Sequence, residues 1–144
     1  MLGYDVEYFS DAADEALTET ASKEGRVLLT CDQELFRNAS VRGVEAYLVR
    51  GRTEAERLAD LAERFRIRLE IDVRDSRCPK CNTAIRAVPK EEIKDKIPEA
   101  TSRFYDDFWI CPNCSQIYWQ GSHWKKINNT LTQAEKLSKL LDHL

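Results

Sequence analysis

Two near copies of one short motif carry the clearest chemistry in this chain: Cys78-Pro79-Lys80-Cys81 and Cys111-Pro112-Asn113-Cys114. Each Cys-x-x-Cys is a tight turn that aims two thiolates at one point, and two such turns supply the four tetrahedral ligands that zinc prefers. A closed four-thiolate set leaves no position for water. The expected role of Cys78, Cys81, Cys111 and Cys114 is therefore one structural zinc ion rather than a catalytic one. Iron also suits four thiolates, and a redox dithiol or paired free thiols are the plain alternative. Asn82 and Ser115 follow the second cysteine of each pair. A small or polar residue there suits a turn whose backbone N–H groups point at sulfur. The 29 residues between the pairs leave room for a hairpin and an insertion. Ala84–Val88 and Gln116–Trp119 each follow a pair and read as the strands of a zinc ribbon.

A second constellation is acidic. Thr30-Cys31-Asp32-Gln33-Glu34-Leu35 directly follows an apolar run, Arg26 to Thr30, that reads as a strand buried on both faces. In an open α/β sheet the ligand crevice lies at the carboxyl ends of the strands, so Asp32 and Glu34 fall where a site would form. Asp14 sits near the start of the preceding helix and can reach the same edge. Carboxylates that share a crevice repel unless a cation sits between them; Mg²⁺ or Mn²⁺ meets that need and positions water for phosphodiester hydrolysis. The competing reading is plain helix chemistry, since acids favour helix N-termini. Cys31 reads as a small buried thiol beside the strand end.

The third feature interleaves aromatic and basic residues. Phe104, Tyr105, Phe108 and Trp109 precede the second cysteine pair, and Tyr118, Trp119, His123, Trp124, Lys125 and Lys126 follow it. Aromatics can stack on bases and lysines can hold phosphates. A small ribbon also needs aromatics to build a core beyond its metal, and Trp109, Tyr118 and Trp119 are assigned mainly to packing. Lys80, His123, Trp124, Lys125 and Lys126 are the candidate nucleic-acid contacts.

The elements that must position these groups divide the chain in two. Tyr4 to Phe9 alternates and reads as a strand. A helix should start near Ser10-Asp11, carry Ala13, Ala16, Leu17 and Ala21, and stop at Gly25. Further elements are a short helix over Asp32 to Asn38 and a strand over Val44 to Val49. Thr53-Glu54-Ala55-Glu56 is a capping box opening a helix through Phe65. Ile67 to Val73 alternates again and reads as a strand. Strands alternating with helices imply a parallel sheet. After Arg74-Asp75-Ser76, cysteines, prolines and aromatics replace that pattern. Lys90 to Lys96 reads as a short helix ended by Pro98. Thr132-Gln133-Ala134-Glu135 reads as a second capping box, followed by an apolar stripe of Leu137, Leu140, Leu141 and Leu144. The expected division is 1–75 for an α/β domain, 76–128 for the ribbon and 129–144 for a C-terminal amphipathic helix.

Composition agrees with a globular chain: 42% hydrophobic and 33% charged, with a net charge of −3. The acidic part, 1–75, carries −6 and the ribbon part, 76–128, carries +3. Uneven charge suits acids that hold cations and bases that hold phosphates, or simply an uneven solvated surface. No apolar run approaches the roughly 20 residues that cross a bilayer, and the first residues lack the basic start and apolar stretch of a signal peptide. The expectations are no membrane association, a cytoplasmic location, and no disulfide framework.

The stretch Asp14-Glu15-Ala16-Leu17, Ala21, Glu24-Gly25-Arg26-Val27-Leu28-Leu29-Thr30-x-Asp32-x-Glu34-Leu35 resembles the PIN-like nucleases. The chain as a whole, over about 2–127, resembles the Mut-seven C-terminal RNase domain, a PIN-like domain with an appended zinc ribbon. The ribbon part of the resemblance rests on Ser76-Arg77-Cys78-Pro79-Lys80-Cys81-Asn82, Cys111-Pro112-Asn113-Cys114 and Ile117-Tyr118-Trp119-Gln120-Gly121-Ser122-His123-Trp124. It implies a metal-dependent ribonuclease with Asp14 and Asp32 as Mg²⁺ or Mn²⁺ ligands and Glu34 at an often acidic position. It also implies that the family's first strand, first helix and first catalytic aspartate are absent here, and Cys31 stands where an arginine is common. The expected fold is thus α/β: a small PIN-like parallel sheet flanked by helices, then a zinc ribbon and a C-terminal helix. The expected function is to cleave or bind RNA. The rival readings are a non-catalytic RNA- or ribonucleoprotein-binding module and a protein-interaction adaptor. The adaptor would bind its partner through the leucine stripe or the exposed sheet edge.

Overall fold

The computed structural model describes residues 1–9 and 11–143. They form two compact units. One comprises Tyr8–Ile67 and Leu137–Leu144, and the other comprises Met1–Glu7 and Arg68–Lys136.

The α/β unit opens with helix α1 (Asp14–Glu24). Acids in its first turn and Lys23 in its last match the helix dipole. Gly25 takes the left-handed conformation, φ 62°, and its N–H donates to the Ala21 carbonyl. That closes the helix and turns the chain. Strand β1 (Leu28–Thr30) follows, then α2 (Gln33–Val41), β2 (Ala46–Leu48) and α3 (Glu54–Phe65). β1 and β2 pair in parallel, Leu28 opposite Ala46 and Thr30 opposite Leu48. Ala21, Leu28, Leu35, Ala39 and Val44 form the buried core, with Leu17 and Ala46 packed against it. The first capping box is present in full: Thr53 Oγ1 accepts from the Glu56 N–H at 3.2 Å, and Glu56 Oε2 accepts from the Thr53 N–H at 3.2 Å.

Several expectations are corrected here. Tyr4 to Phe9 is not a strand. Its polar groups are met by side-chain bonds instead: the Tyr4 hydroxyl accepts from the Arg68 N–H, and the Val6 N–H donates to Asn82 Oδ1. Ile67 to Ile71 keeps the alternation that suggested a strand, with Ile67, Leu69 and Ile71 half-buried and Arg68 and Glu70 exposed, yet no described strand pairs with it. Alternation reports a one-sided surface; a strand needs a partner as well. β1 is not buried on both faces, because Leu29 is 44% exposed. Cys31 is exposed rather than buried. Ser10 and Leu144, read as part of a helix start and of the leucine stripe, lie outside the described residues.

The ribbon unit holds the antiparallel sheet β3 (Arg86–Val88), β4 (Phe108–Ile110) and β5 (Ile117–Tyr118), in the order β3-β4-β5. Between β3 and β4 lie α4 (Lys90–Ile93), a single 3-10 turn at Lys94–Lys96, and α5 (Glu99–Phe104). Pro98 stands just before α5, as its N-cap. Val88, Ile93, Phe108 and Ile117 make the core, and Ile97, Tyr105, Ile110 and Trp119 pack on it.

Helix α6 (Ser122–Leu141) is one continuous element of 20 residues. The second capping box is therefore corrected. Thr132 sits mid-helix, and its Oγ1 donates to the Asn128 carbonyl at 2.9 Å, so its hydroxyl is used within the helix and caps nothing. Trp124, Leu131 and Ala134 are its buried residues, and Leu140 and Leu141 are exposed at 64% and 40%. No helix among the described residues is long and apolar enough to cross a membrane.

Candidate metal centre and nucleic-acid interface

The two cysteine motifs fold into two copies of the same turn. The Asn82 N–H donates to the Cys78 carbonyl at 2.8 Å, and the Ser115 N–H donates to the Cys111 carbonyl at 2.9 Å. Asn82 and Ser115 both take positive φ, 63° and 64°. Asparagine tolerates that region well. Each turn is then locked back onto its strand: the Cys78 N–H donates to the Thr83 carbonyl, and the Cys111 N–H to the Gln116 carbonyl.

The result is four sulfurs within 4.8 Å of one another. Cys81 and Cys111 are 3.2 Å apart at Sγ, Cys78 and Cys114 are 3.7 Å apart, and all five cysteines are free thiols. A tetrahedral zinc with four bonds of about 2.3 Å places its sulfurs roughly 3.8 Å apart. The donor set and spacing fit one zinc ion. Cys78 and Cys111 are fully buried, Cys81 is half-buried and Cys114 is exposed. The hydroxyl of Tyr118 lies 3.0 Å from Cys78 Sγ. Burial pushes the Cys78 thiol up, but the Tyr118 hydroxyl and the N–H groups of Cys81 and Lys80 outweigh it, so the net direction is down. The Thr83 and Asn113 side chains, helped by the Thr83 N–H, hold Cys81 down to about 5. Thiolates, the form a metal binds, are thus favoured at both positions.

Around this centre the aromatics pack. Trp124 stacks on Trp109 with centroids 6.3 Å apart and planes 15° apart, and it is 7% exposed. Trp124, a candidate stacking surface for a base, thus has one ring face on Trp109 and little area left open. Trp119 tilts against Phe108 at 6.3 Å. A Cβ on Gly121 would come within 2.9 Å of Trp119 Nε1, so only glycine lets the indole edge lie there undisturbed. Of the other candidate contacts, Lys80 Nζ donates to Gln116 Oε1 at 2.7 Å, while His123, Lys125 and Lys126 are exposed in the first turns of α6.

The acidic residues occupy helix starts. Asp32 is the N-cap of α2: its Oδ1 accepts from the N–H groups of Glu34 at 2.8 Å and Leu35 at 3.2 Å. Its own N–H donates to Thr30 Oγ1 at 3.0 Å. Asp14 is the first residue of α1 and Glu34 lies in the first turn of α2, and all three carboxylates are exposed. Among the described residues the four cysteines are the only group of three or more such side chains close enough to share an ion. Asp14, Asp32 and Glu34 are not preassembled.

The sequence reading missed two features. One is Tyr118 as a partner of a metal ligand. The other is Asp60, which accepts from the Tyr47 hydroxyl at 3.0 Å and from the Arg50 N–H at 2.8 Å, at an open cleft lined also by Arg64 and Leu141. The signal for Asp60 was its place among the apolar residues Leu58, Ala59, Leu61 and Ala62 of α3. A carboxylate so placed needs a donor.

The architecture is that of an α/β unit joined to a zinc-ribbon-type unit with a tetracysteine metal centre. The family model "Mut7-C RNAse domain" matches residues 1–131, and the chain belongs to that family. Membership of that family points to a nuclease- or RNA-related function. No curated protein and no solved structure matches the chain.

Proposed function

We propose that this protein is an RNase-related domain that acts on single-stranded RNA in the cytoplasm, with the ribbon holding the strand and one structural zinc ion at Cys78, Cys81, Cys111 and Cys114. The observation that carries this reading is the family match, which runs through both units. Lys80, His123, Lys125 and Lys126 supply the exposed basic surface on the ribbon side. Hydrolysis by this chain requires Mg²⁺ or Mn²⁺ at Asp32, with Asp14 and Glu34 as further ligands. Asp32 Oδ1 is committed to the α2 cap.

The absence of a preassembled carboxylate group favours a second reading, an RNA-binding module without catalysis. One assay separates the two. Purified protein is incubated with labelled single-stranded RNA and Mn²⁺ beside an Asp32→Asn variant. Asparagine caps helices as well as aspartate does, so the variant keeps its fold and changes only the charge. Cleavage that disappears in D32N supports the RNase. Binding without cleavage, equal in both proteins, supports the module. Absence of both would overturn the proposal.

RNA affinity should also depend on salt through the exposed lysines. Replacing Lys125 and Lys126 with alanine is expected to weaken binding at every sequence and to lower the log–log salt slope by about one unit per lysine. Titrations at several salt concentrations measure it, and an unchanged slope places the RNA elsewhere.

A further inference from the structure

Three members of the Tyr-Trp-x-Gly-Ser-His-Trp stretch have packing roles: Trp119 against Phe108, Gly121 under the Trp119 indole, and Trp124 on Trp109. Tyr118 is placed differently. Its hydroxyl sits 3.0 Å from Cys78 Sγ, a sulfur 40 positions away in the chain. The ring's location is set by strand pairing. Tyr118 is in register with Trp109 on β4, and β4 runs directly into Cys111 of the second cysteine turn. The acceptor belongs to the first turn. One hydroxyl thus links the strand pair that carries one pair of ligands to a ligand of the other pair.

We infer that Tyr118 is a positioning residue of the metal centre, its hydroxyl donating a hydrogen bond to the metal-bound sulfur of Cys78. The direction follows from chemistry: a metal-bound thiolate carries no proton and can only accept, so the phenol must donate. The bond does two things. It holds the Cys78 sulfur at the position the other three sulfurs require, and it draws electron density from that ligand. Cys78 is otherwise served by the backbone N–H groups of its own turn, Lys80 and Cys81. Those move with the turn and cannot fix it against the second one. Tyr118 is the group that can, because it belongs to the opposite side of the site.

The inference rests on a metal filling the four thiolates and is independent of the RNase reading. It is tested on the full chain loaded with Co²⁺ in place of zinc. Wild type is expected to take one cobalt per chain; failure to do so removes the four-thiolate centre, and this inference with it. In Tyr118→Phe the ring packing stays and only the donor goes. Outer-shell partners of this kind are worth about 10- to 100-fold in metal affinity. Y118F is therefore expected to bind cobalt at least about tenfold more weakly in chelator competition. Its sulfur-to-cobalt charge-transfer band should move to lower energy, since a thiolate without the donor gives up its electrons more easily. The far-UV spectrum of the loaded protein should not change. A folded Y118F with wild-type affinity and band position overturns the inference. A second substitution does not depend on the fold of the first: 3-fluorotyrosine at position 118 keeps the shape and donates more strongly. It should move the band to higher energy, and a stationary band in that protein also overturns the inference.

Discussion

Stripping the metal with a strong chelator is expected to abolish the cooperative unfolding of the ribbon unit rather than merely lower its midpoint. Four sulfurs lie within 4.8 Å of one another, and Cys78 and Cys111 are among the most deeply buried side chains in the protein. Without a cation those thiolates repel or must take up protons at a cost in burial. Structural zinc contributes about 10–16 kcal/mol in small domains, against a net stability of about 5–15 kcal/mol for a whole folded domain. The metal term is thus as large as the whole net stability of such a domain, and its loss leaves the remaining core no margin. All three tryptophans, Trp109, Trp119 and Trp124, lie in this unit, so tryptophan fluorescence follows it selectively. Cys111→Ser should reproduce the chelated state. Acidification acts in the same direction, because protons compete with the metal for thiolates. A chelated protein that kept its fluorescence-detected transition would sink the four-thiolate account.

Phe108→Ala carries the second largest expected effect. Phe108 is 2% exposed and is the largest of the fully buried side chains. It packs with Val88, Ile93 and Ile117 and meets Trp119. Removing a buried phenylalanine costs about 3–5 kcal/mol, through lost transfer energy and a cavity that closes only in part. In a unit of this size that lowers the melting midpoint by more than about 10 °C. The measurement is made on the metal-loaded chain, again by tryptophan fluorescence. The metal and this cluster are both close to the β4–β5 pair, with Phe108 at one end of β4 and Cys111 just past the other. A shift below about 1 kcal/mol would mean that the metal alone holds the unit and that the cluster is filler.

Much of this protein was legible in short-range signals. Gly25 ended α1 because only glycine enters the left-handed region at no cost. Thr53 and Glu56 announced α3 because a capping box is a local exchange of two hydrogen bonds. The cysteine spacing announced the metal centre because two Cys-x-x-Cys turns do little else with four thiolates. The errors also share a cause. Tyr4–Phe9, Ile67–Val73 and Thr132–Glu135 each carried a valid local pattern whose outcome was decided by a partner elsewhere in the chain. The first was taken up by the Arg68 backbone N–H, which donates to the Tyr4 hydroxyl, and by the Asn82 side chain, the second found no strand beside it, and the third was absorbed into a helix already running from Ser122.

The two metal readings show the same division. The four cysteines were determined by the sequence alone, since each pair is built by a five-residue turn closed by its own bond, from the N–H of its last residue to the carbonyl of its first. Only the tertiary structure could decide what surrounds them. Strand register put the Tyr118 hydroxyl on the Cys78 sulfur, and packing closed Trp124 against Trp109. The acidic residues lie wholly on the far side of that division. Asp14, Asp32 and Glu34 come from two helix starts, and their convergence depends on how those helices sit on the sheet, which no local pattern encodes. Asp32 caps α2 because capping needs only the next three residues; sharing a cation needs the fold.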